Sequence, residues 1–404
     1  MQIIQFIKYA WKIATHGAML YWIWILILGC MLGVGLISYW QQYHYGLVVT
    51  NLTNQVSWGL YIANFTFLVG VAAAAVMLVI PAYIFDRQDI KQVVVIGDSL
   101  AIAAVIMAMA FVFVDLGRPE RFWHLIPGIG QLNFPNSLLA WDVVVLIGYL
   151  ILNGGIASYI LYNYYLGRHP NLTWYLPFVV IAIFWAIGIH TVTAFLFSAN
   201  SGRQFWHDTL LAPRFIASAF ASGPAIMILV LKLIRQLTPY PVHQSIIDHL
   251  GITIAIALQV VIFLLGAEIF THFYAASAHI SSIQYLFFGL DQHIMLRSWM
   301  WVAVALLLLA VFILMIHPLR ANSKLLNIAC VATILGVWIE KGLGLVTPGF
   351  IPTPIGEILE YSPGLIEIGV SIGIWGLGLL IFTVLTKIAV TIECRAANLI
   401  PAPE

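Results

Sequence analysis

Apolar runs long enough to cross a lipid bilayer recur along almost the whole chain. A membrane-spanning helix needs about 20 predominantly apolar residues, and ten segments meet this requirement. The predicted spans are 17–39, 56–84, 94–116, 137–162, 174–198, 210–235, 251–274, 297–317, 326–346 and 364–390. Polar connections between them are short. The pattern therefore predicts an all-α integral membrane protein, with residues 1–404 forming a single polytopic membrane domain.

Some aromatic positions repeat after four spans. Trp141 in the fourth span corresponds to Trp299 in the eighth, and Trp185 in the fifth corresponds to Trp338 in the ninth. A shift by four spans preserves the orientation in the membrane, so such a repeat is parallel. We therefore expect two four-helix halves with one peripheral helix added before and one after them. The expected units are 56–198, 210–346, 17–39 and 364–390.

The composition supports a membrane protein and excludes several other classes. Of the 404 residues 62% are hydrophobic and only 8% are charged, whereas about 25% are charged in ordinary soluble domains. The net charge of +1 argues against nucleic-acid binding. Cys30, Cys330 and Cys394 lie far apart without a C-x-x-C motif. We therefore expect no iron–sulfur cluster, haem or metal site in this chain.

The basic residues predict the orientation. Eleven of the 17 Lys and Arg residues fall on the side that carries both termini, and six fall on the opposite side. Cytoplasmic loops are enriched in Lys and Arg. Both termini are therefore expected in the cytoplasm, with the connection between the third and fourth spans at the outer face.

That connection concentrates the ionisable residues of the chain. The stretch 115–142 contains Asp115, Arg118, Glu120, Arg121, His124 and Asp142. Charged groups close to hydrocarbon are expensive, so their accumulation at one depth predicts a protonatable pocket for a polar head group. The alternative is a solvated loop between two membrane helices. In the repeat alignment, Leu265 and Met300 replace Asp115 and Asp142, which predicts one site per chain.

A quinone is a ligand whose chemistry this stretch fits. His124 and Asp142 suit proton exchange with oxygens that gain and lose protons, and the apolar tail of a quinone would remain in the bilayer. Arg118 or Arg121 could pair with Asp115 or Asp142. Tyr61 and Asn64 in the second span are candidate hydrogen-bonding neighbours. Their alternative roles are interfacial anchoring for Tyr61 and helix–helix bonding for Asn64. The adjacent Glu340 and Lys341 are either an interfacial pair or a second functional site.

Several motifs in order resemble the polysulfide-reductase membrane-subunit family, also called the NrfD or PsrC family. They are Asp-Leu-Gly-Arg-Pro at 115–119, Asn-Ser at 136–137, Trp-Asp at 141–142, His-Thr-Val-Thr-Ala-Phe at 190–195, Phe-Trp-His at 205–207, Pro-Arg-Phe at 213–215 and Ser-Gly-Pro-Ala at 222–225. Within the family, the chain looks most like the DsrP subunits of sulfite-reduction-associated complexes.

The resemblance implies a quinone-reactive subunit in the cytoplasmic (inner) membrane of a prokaryote. It implies a menaquinone- or ubiquinone-type substrate, a ferredoxin-like iron–sulfur partner at the outer face, other membrane and cytochrome partners similar to DsrM, DsrK, DsrJ and DsrO, and a link to sulfur metabolism. It places His124 and Asp142 at the quinol site and associates Asp115 and Arg118 with it.

Three other functions are compatible with the sequence. A haem b cytochrome would use His190 and His272, which differ by about 9 Å in predicted depth at 1.5 Å per residue. A transporter is permitted by the repeat, although Gly188 and Pro224 are the only signs of interrupted helices. The third is a structural anchor without a quinone site.

Overall fold

The computed structural model describes residues 2–126, 128–274, 280–353 and 355–399, and within them the protein is built from helices without a β-strand. Ten helices are long and apolar enough to span a membrane. The spanning helices are α2 (Met19–Tyr45), α3 (Leu60–Ile84), α4 (Val94–Asp115), α5 (Leu138–Tyr165), α6 (Leu172–Ser198), α7 (Leu211–Leu237), α8 (Gln244–Tyr274), α10 (Met295–Met315), α11 (Ser323–Phe350) and α12 (Leu365–Ala396). The all-α class and the ten spans are confirmed.

Two shorter helices were not predicted, α1 (Gln2–Thr15) and α9 (Ile280–Phe287). α1 is amphipathic: Ile3, Ile4 and Trp11 on it are exposed, while the Phe6 ring packs 5.5 Å from that of Tyr162. A helix with one apolar face and a Lys-containing polar face lies in the membrane interface rather than across it. A search for long apolar runs passes over such a segment.

The interior of the bundle is formed around α3, which is almost entirely buried and packs against α4, α6, α7 and α11. Small residues allow its close crossing with α7, because a Cβ on Gly223 would lie 3.0 Å from the Cα of Ala74. Membrane helices associate through such small-residue contacts. α3 therefore connects the helices before it to those after it.

α2 lies at the edge of the bundle and packs mainly against α12. At their crossing, a Cβ on Gly35 would lie 2.3 Å from the Cα of Gly373, so neither position tolerates a side chain. α12 in turn packs against α4. The two four-helix halves and their internal repeat stay a prediction.

Because ten helices span the bundle, both termini lie at one end, called here the terminal end. The opposite end, where α3, α5 and α7 begin, is called the distal end. The stretch 115–142 connects α4 to α5 at the distal end.

Candidate functional site

Asp142 is a buried carboxyl near the distal start of α5, with 1% of its surface exposed. Ser137 caps this helix by accepting a hydrogen bond from the backbone N–H of Ala140 at 3.4 Å. The hydroxyl of Thr193 on α6 donates to Oδ1 of Asp142 at 2.8 Å. Among the described residues, no cation lies within ion-pair distance of Asp142. Asp142 is therefore a buried acid held by a neutral donor.

His124 lies in a short 3₁₀ helix, Pro119–Leu125, at the distal surface. Its exposed ring stacks on that of Trp123 with centroids 3.8 Å apart. In the described part of the chain no hydrogen bond or ion pair joins His124 to Asp142. The structure thus places the two predicted proton-exchanging residues at one end of the bundle, one at the surface and one enclosed, and does not bring them into contact.

The two predicted arginines are also exposed. Arg118 lies 3.6 Å from Glu120 in an ion pair at the surface, while Arg121 makes none with any described residue. Neither pairs with Asp115 or Asp142, as the sequence had suggested. Arg118 instead lines a distal cleft of about 290 Å³ between the ends of α2 and α4, together with Tyr39 and Gln42.

Tyr61 and Asp115 lie behind this cleft. The buried hydroxyl of Tyr61 donates to Oε1 of Gln42 at 2.6 Å, and Nε2 of Gln42 donates to the carbonyl of Val114 at 2.6 Å. Asp115 is close enough to Glu367 and Tyr61 to interact with both electrostatically. Its Oδ1 is buried without a hydrogen-bond partner. Three of the predicted residues, Tyr61, Asp115 and Arg118, are therefore grouped around Gln42.

Asn64 has a visible structural role. Its Nδ2 donates to the carbonyl of Leu60 at 2.8 Å, and its Oδ1 accepts from the indole N–H groups of Trp338 and Trp375, each at 3.1 Å. These bonds connect α3 to α11 and α12. The helix–helix bonding alternative accounts for this residue.

A second buried polar site, missed as a unit by the sequence analysis, lies between α7, α8 and α11. Arg214 donates to Glu268 through Nη1 and to Glu340 through Nη2 and through Nε, the last at 2.7 Å. All three side chains are buried. The group joins residues 54 and 126 positions apart, so no local pattern reveals it. The only signal was charge inside apolar spans.

A π-helical turn, Trp338–Leu343, turns both Glu340 and Lys341 into the bundle. Consecutive residues on a regular α-helix point about 100° apart, and π-helical turns are frequent at functional sites. Nζ of Lys341 lies 4.1 Å from the ring centroid of Phe215. A Cβ on Gly70 would come within 3.2 Å of it. The structure therefore buries the Glu340–Lys341 pair, rather than leaving it at an interface.

His190 completes the polar interior one turn below Thr193 on α6. Its Nδ1 lies 2.6 Å from the carbonyl oxygen of Ala186, which can only accept, so Nδ1 carries the proton. Nε2 is buried without a partner. α7 packs between α6 and α8, the helices that carry His190 and His272.

Comparison with known proteins decides the family. The family model described as "Polysulphide reductase, NrfD" matches residues 48–351. The chain belongs to the NrfD family. The match covers the distal stretch 115–142 as well as Arg214, Glu268 and Glu340, but neither α1 nor α12. The resemblance seen in the sequence motifs is confirmed.

Three NrfD-like relatives cover nearly the whole chain. A dimethyl sulfoxide reductase membrane subunit of Halobacterium salinarum is 27% identical over 402 residues, covering 89% of this chain and 88% of its own. A selenate reductase subunit of Mesobacillus selenatarsenatis is 22% identical over 400 residues (88% and 91%). An Hdr-like menaquinol oxidoreductase integral membrane subunit of Archaeoglobus fulgidus is 23% identical over 394 residues (94% and 95%). The protein is thus a multi-pass membrane protein similar to subunits of redox complexes.

Proposed function

We propose that this chain is the quinone-reactive membrane subunit of a multisubunit redox complex. It exchanges electrons between a menaquinone- or ubiquinone-type pool and an iron–sulfur partner subunit. The observation that carries the proposal is Asp142, a carboxyl enclosed among apolar helices and bonded to a hydroxyl rather than a cation. An acid without a fixed counter-charge can take up or release a proton without breaking an ion pair.

Quinol oxidation yields a quinone, two protons and two electrons. In the proposal, Asp142 accepts one proton from a quinol hydroxyl within the membrane. His124 accepts the other and passes it to solvent, because its ring is exposed at the distal surface. The electron pair passes to the partner's cluster, and quinone reduction runs the same steps in reverse.

The distal cleft supplies the other proposed contacts. Arg118 at its edge and the unpartnered Oδ1 of Asp115 behind it offer a donor and an acceptor for quinone oxygens. Tyr61 positions Gln42 in the cleft wall through its hydrogen bond. Arg121 would act through its charge at the cleft surface. The amide of Asn64 is engaged in packing, which favours a supporting role over ligand contact.

The relatives support the finer parts of the proposal unequally. The menaquinol oxidoreductase subunit favours menaquinone, and all three relatives favour assembly with partner subunits. The link to sulfur metabolism and to Dsr-like partners is supported by the sequence motifs alone. The location in the cytoplasmic membrane, with cytoplasmic termini and an outer quinone site, is supported by the Lys and Arg distribution.

The test is quinol-linked electron transfer in the assembled complex carrying Asp142→Asn. An amide can still accept the Thr193 hydrogen bond but cannot exchange a proton, so we expect a loss of about 10²-fold or more. Asp291→Asn is the matched control, since Asp291 is exposed at the distal end. His124→Ala is the second variant, and titration with a quinol analogue measures binding in each.

Two outcomes would contradict the proposal. Full quinol-linked activity in an assembled Asp142→Asn complex would remove the catalytic role of Asp142. Absence of analogue binding to the wild-type complex would remove the quinone function and leave a structural anchor.

A further inference from the structure

A polar cavity of about 330 Å³ opens at the terminal end, between α7, α8 and the segment that joins α10 to α11. It is far along the chain from the distal site and plays no part in the function proposed above. Its lining includes Lys232, Arg235, His317, Arg320, Asp248 and Ile252. These residues place a ring of basic groups at the membrane boundary, where lipid headgroups lie.

The positive charge of this cavity is not neutralised. Three Lys and Arg side chains face one Asp in its lining, and among the described residues none of the three forms an ion pair. The nearby Arg87 differs, because it binds Asp89 at 2.7 Å and holds the pKa of that carboxyl well below its usual range. The cavity therefore lacks the counter-charge that another basic residue at this end has.

Neutral acceptors hold each cation in place. Nζ of Lys232, which is 7% exposed, donates to the carbonyl of Ser323 at 2.8 Å and to the amide oxygen of Asn327. Nη1 of Arg320 donates to the carbonyl of Leu314 at 2.5 Å. Nη1 of Arg235 donates to Oε1 of Gln244 at 3.0 Å. A guanidinium has five N–H donors, so most of them remain available to a ligand.

We propose that this cavity binds the phosphate-bearing headgroup of an anionic phospholipid. Basic pockets between membrane helices recognise such headgroups, and charge-assisted bonds from guanidinium to phosphate are strong. The side chain of Ile252 is 44% exposed on the membrane side of the cavity, which provides an apolar wall for an acyl chain. A polar pocket continuous with the lipid-facing surface suits a lipid better than a soluble anion.

Native mass spectrometry of the purified full-length protein tests this site. Phosphatidylglycerol and phosphatidylcholine with the same acyl chains are titrated separately, and bound lipid is counted. We expect phosphatidylglycerol to bind wild type more tightly, and Arg320→Gln to weaken it about five- to tenfold. Lys324→Gln is the matched control, because it removes one exposed charge from the same segment without touching the cavity.

A second variant guards against misfolding. Arg320 also bonds a backbone carbonyl, whereas the hydrogen bond of Arg235 goes to an exposed side chain, so Arg235→Gln is expected to fold and to weaken phosphatidylglycerol in the same range. Equal binding of both lipids by wild type would overturn the proposal, as would unchanged binding in both variants. Displacement of the lipid by millimolar inorganic phosphate would show a soluble-anion site and overturn the lipid assignment.

Discussion

Two buried acidic sites in the distal half of the bundle differ in how their charge is balanced. Asp142 meets the hydroxyl of Thr193, whereas Glu268 and Glu340 share Arg214, with Lys341 nearby. A buried ion pair keeps its charges fixed, because removing one partner leaves the other uncompensated in a low dielectric. A carboxyl with a neutral partner has no such lock. The comparison assigns structure to the Arg214 site and proton chemistry to Asp142.

The largest expected effect comes from removing Arg214. Arg214→Met leaves two buried carboxylates without their cation, and we expect a loss of about 3–5 kcal/mol in the free energy of unfolding. Thermal unfolding of the purified protein measures it. Arg297→Met removes an exposed arginine at the same end and is expected to change stability by less than about 0.5 kcal/mol.

The same site offers an internal check. A triple variant, Arg214→Met with Glu268→Gln and Glu340→Gln, removes all three charges together, so most of the lost stability should return. A triple variant no more stable than Arg214→Met would show that packing, rather than unpaired charge, causes the loss.

The two glutamates should contribute unequally. Glu340 receives two N–H groups of Arg214 and Glu268 receives one. Hydrogen bonds to charged groups contribute about 1.5–3 kcal/mol, so Glu340→Gln should cost about 3 kcal/mol and Glu268→Gln about 1.5 kcal/mol. Unfolding measured on both variants gives the order. The reverse order would mean that Lys341, rather than Arg214, balances Glu340.

A smaller loss is expected on the Asp142 side. Thr193→Val keeps the side-chain volume but removes the hydroxyl that Asp142 accepts, which should cost about 1–2 kcal/mol. Thr333→Val is the control, because the buried hydroxyl of Thr333 bonds only the carbonyl of Ala329 in its own helix. If both variants lose equal stability, the Thr193 hydrogen bond has no special importance for Asp142.

The sequence predicted the spans well because the bilayer leaves the backbone few choices. Every peptide group must be bonded within the membrane, so a long apolar run is a helix. The burial of Asp142 was predicted for the same reason. Its partner Thr193, 51 residues away, depends on how α5 packs against α6. The Arg214 group likewise depends on the contact between α7 and α11, and neither contact is written in local periodicity.

The smallest expected effect concerns Asp115, which tests whether a buried carboxyl alone is enough for function. Its Oδ1 has no hydrogen bond to lose, so Asp115→Asn should leave stability unchanged or slightly raised, because an amide is less costly to bury than a carboxylate. In the proposed function Asp115 contacts the ligand without taking the essential proton, so quinol-linked transfer should fall about tenfold or less, below the loss expected for Asp142→Asn. Measured in the same assembled complex, a larger loss for Asp115→Asn would move the proton-accepting role from α5 to the cleft between α2 and α4.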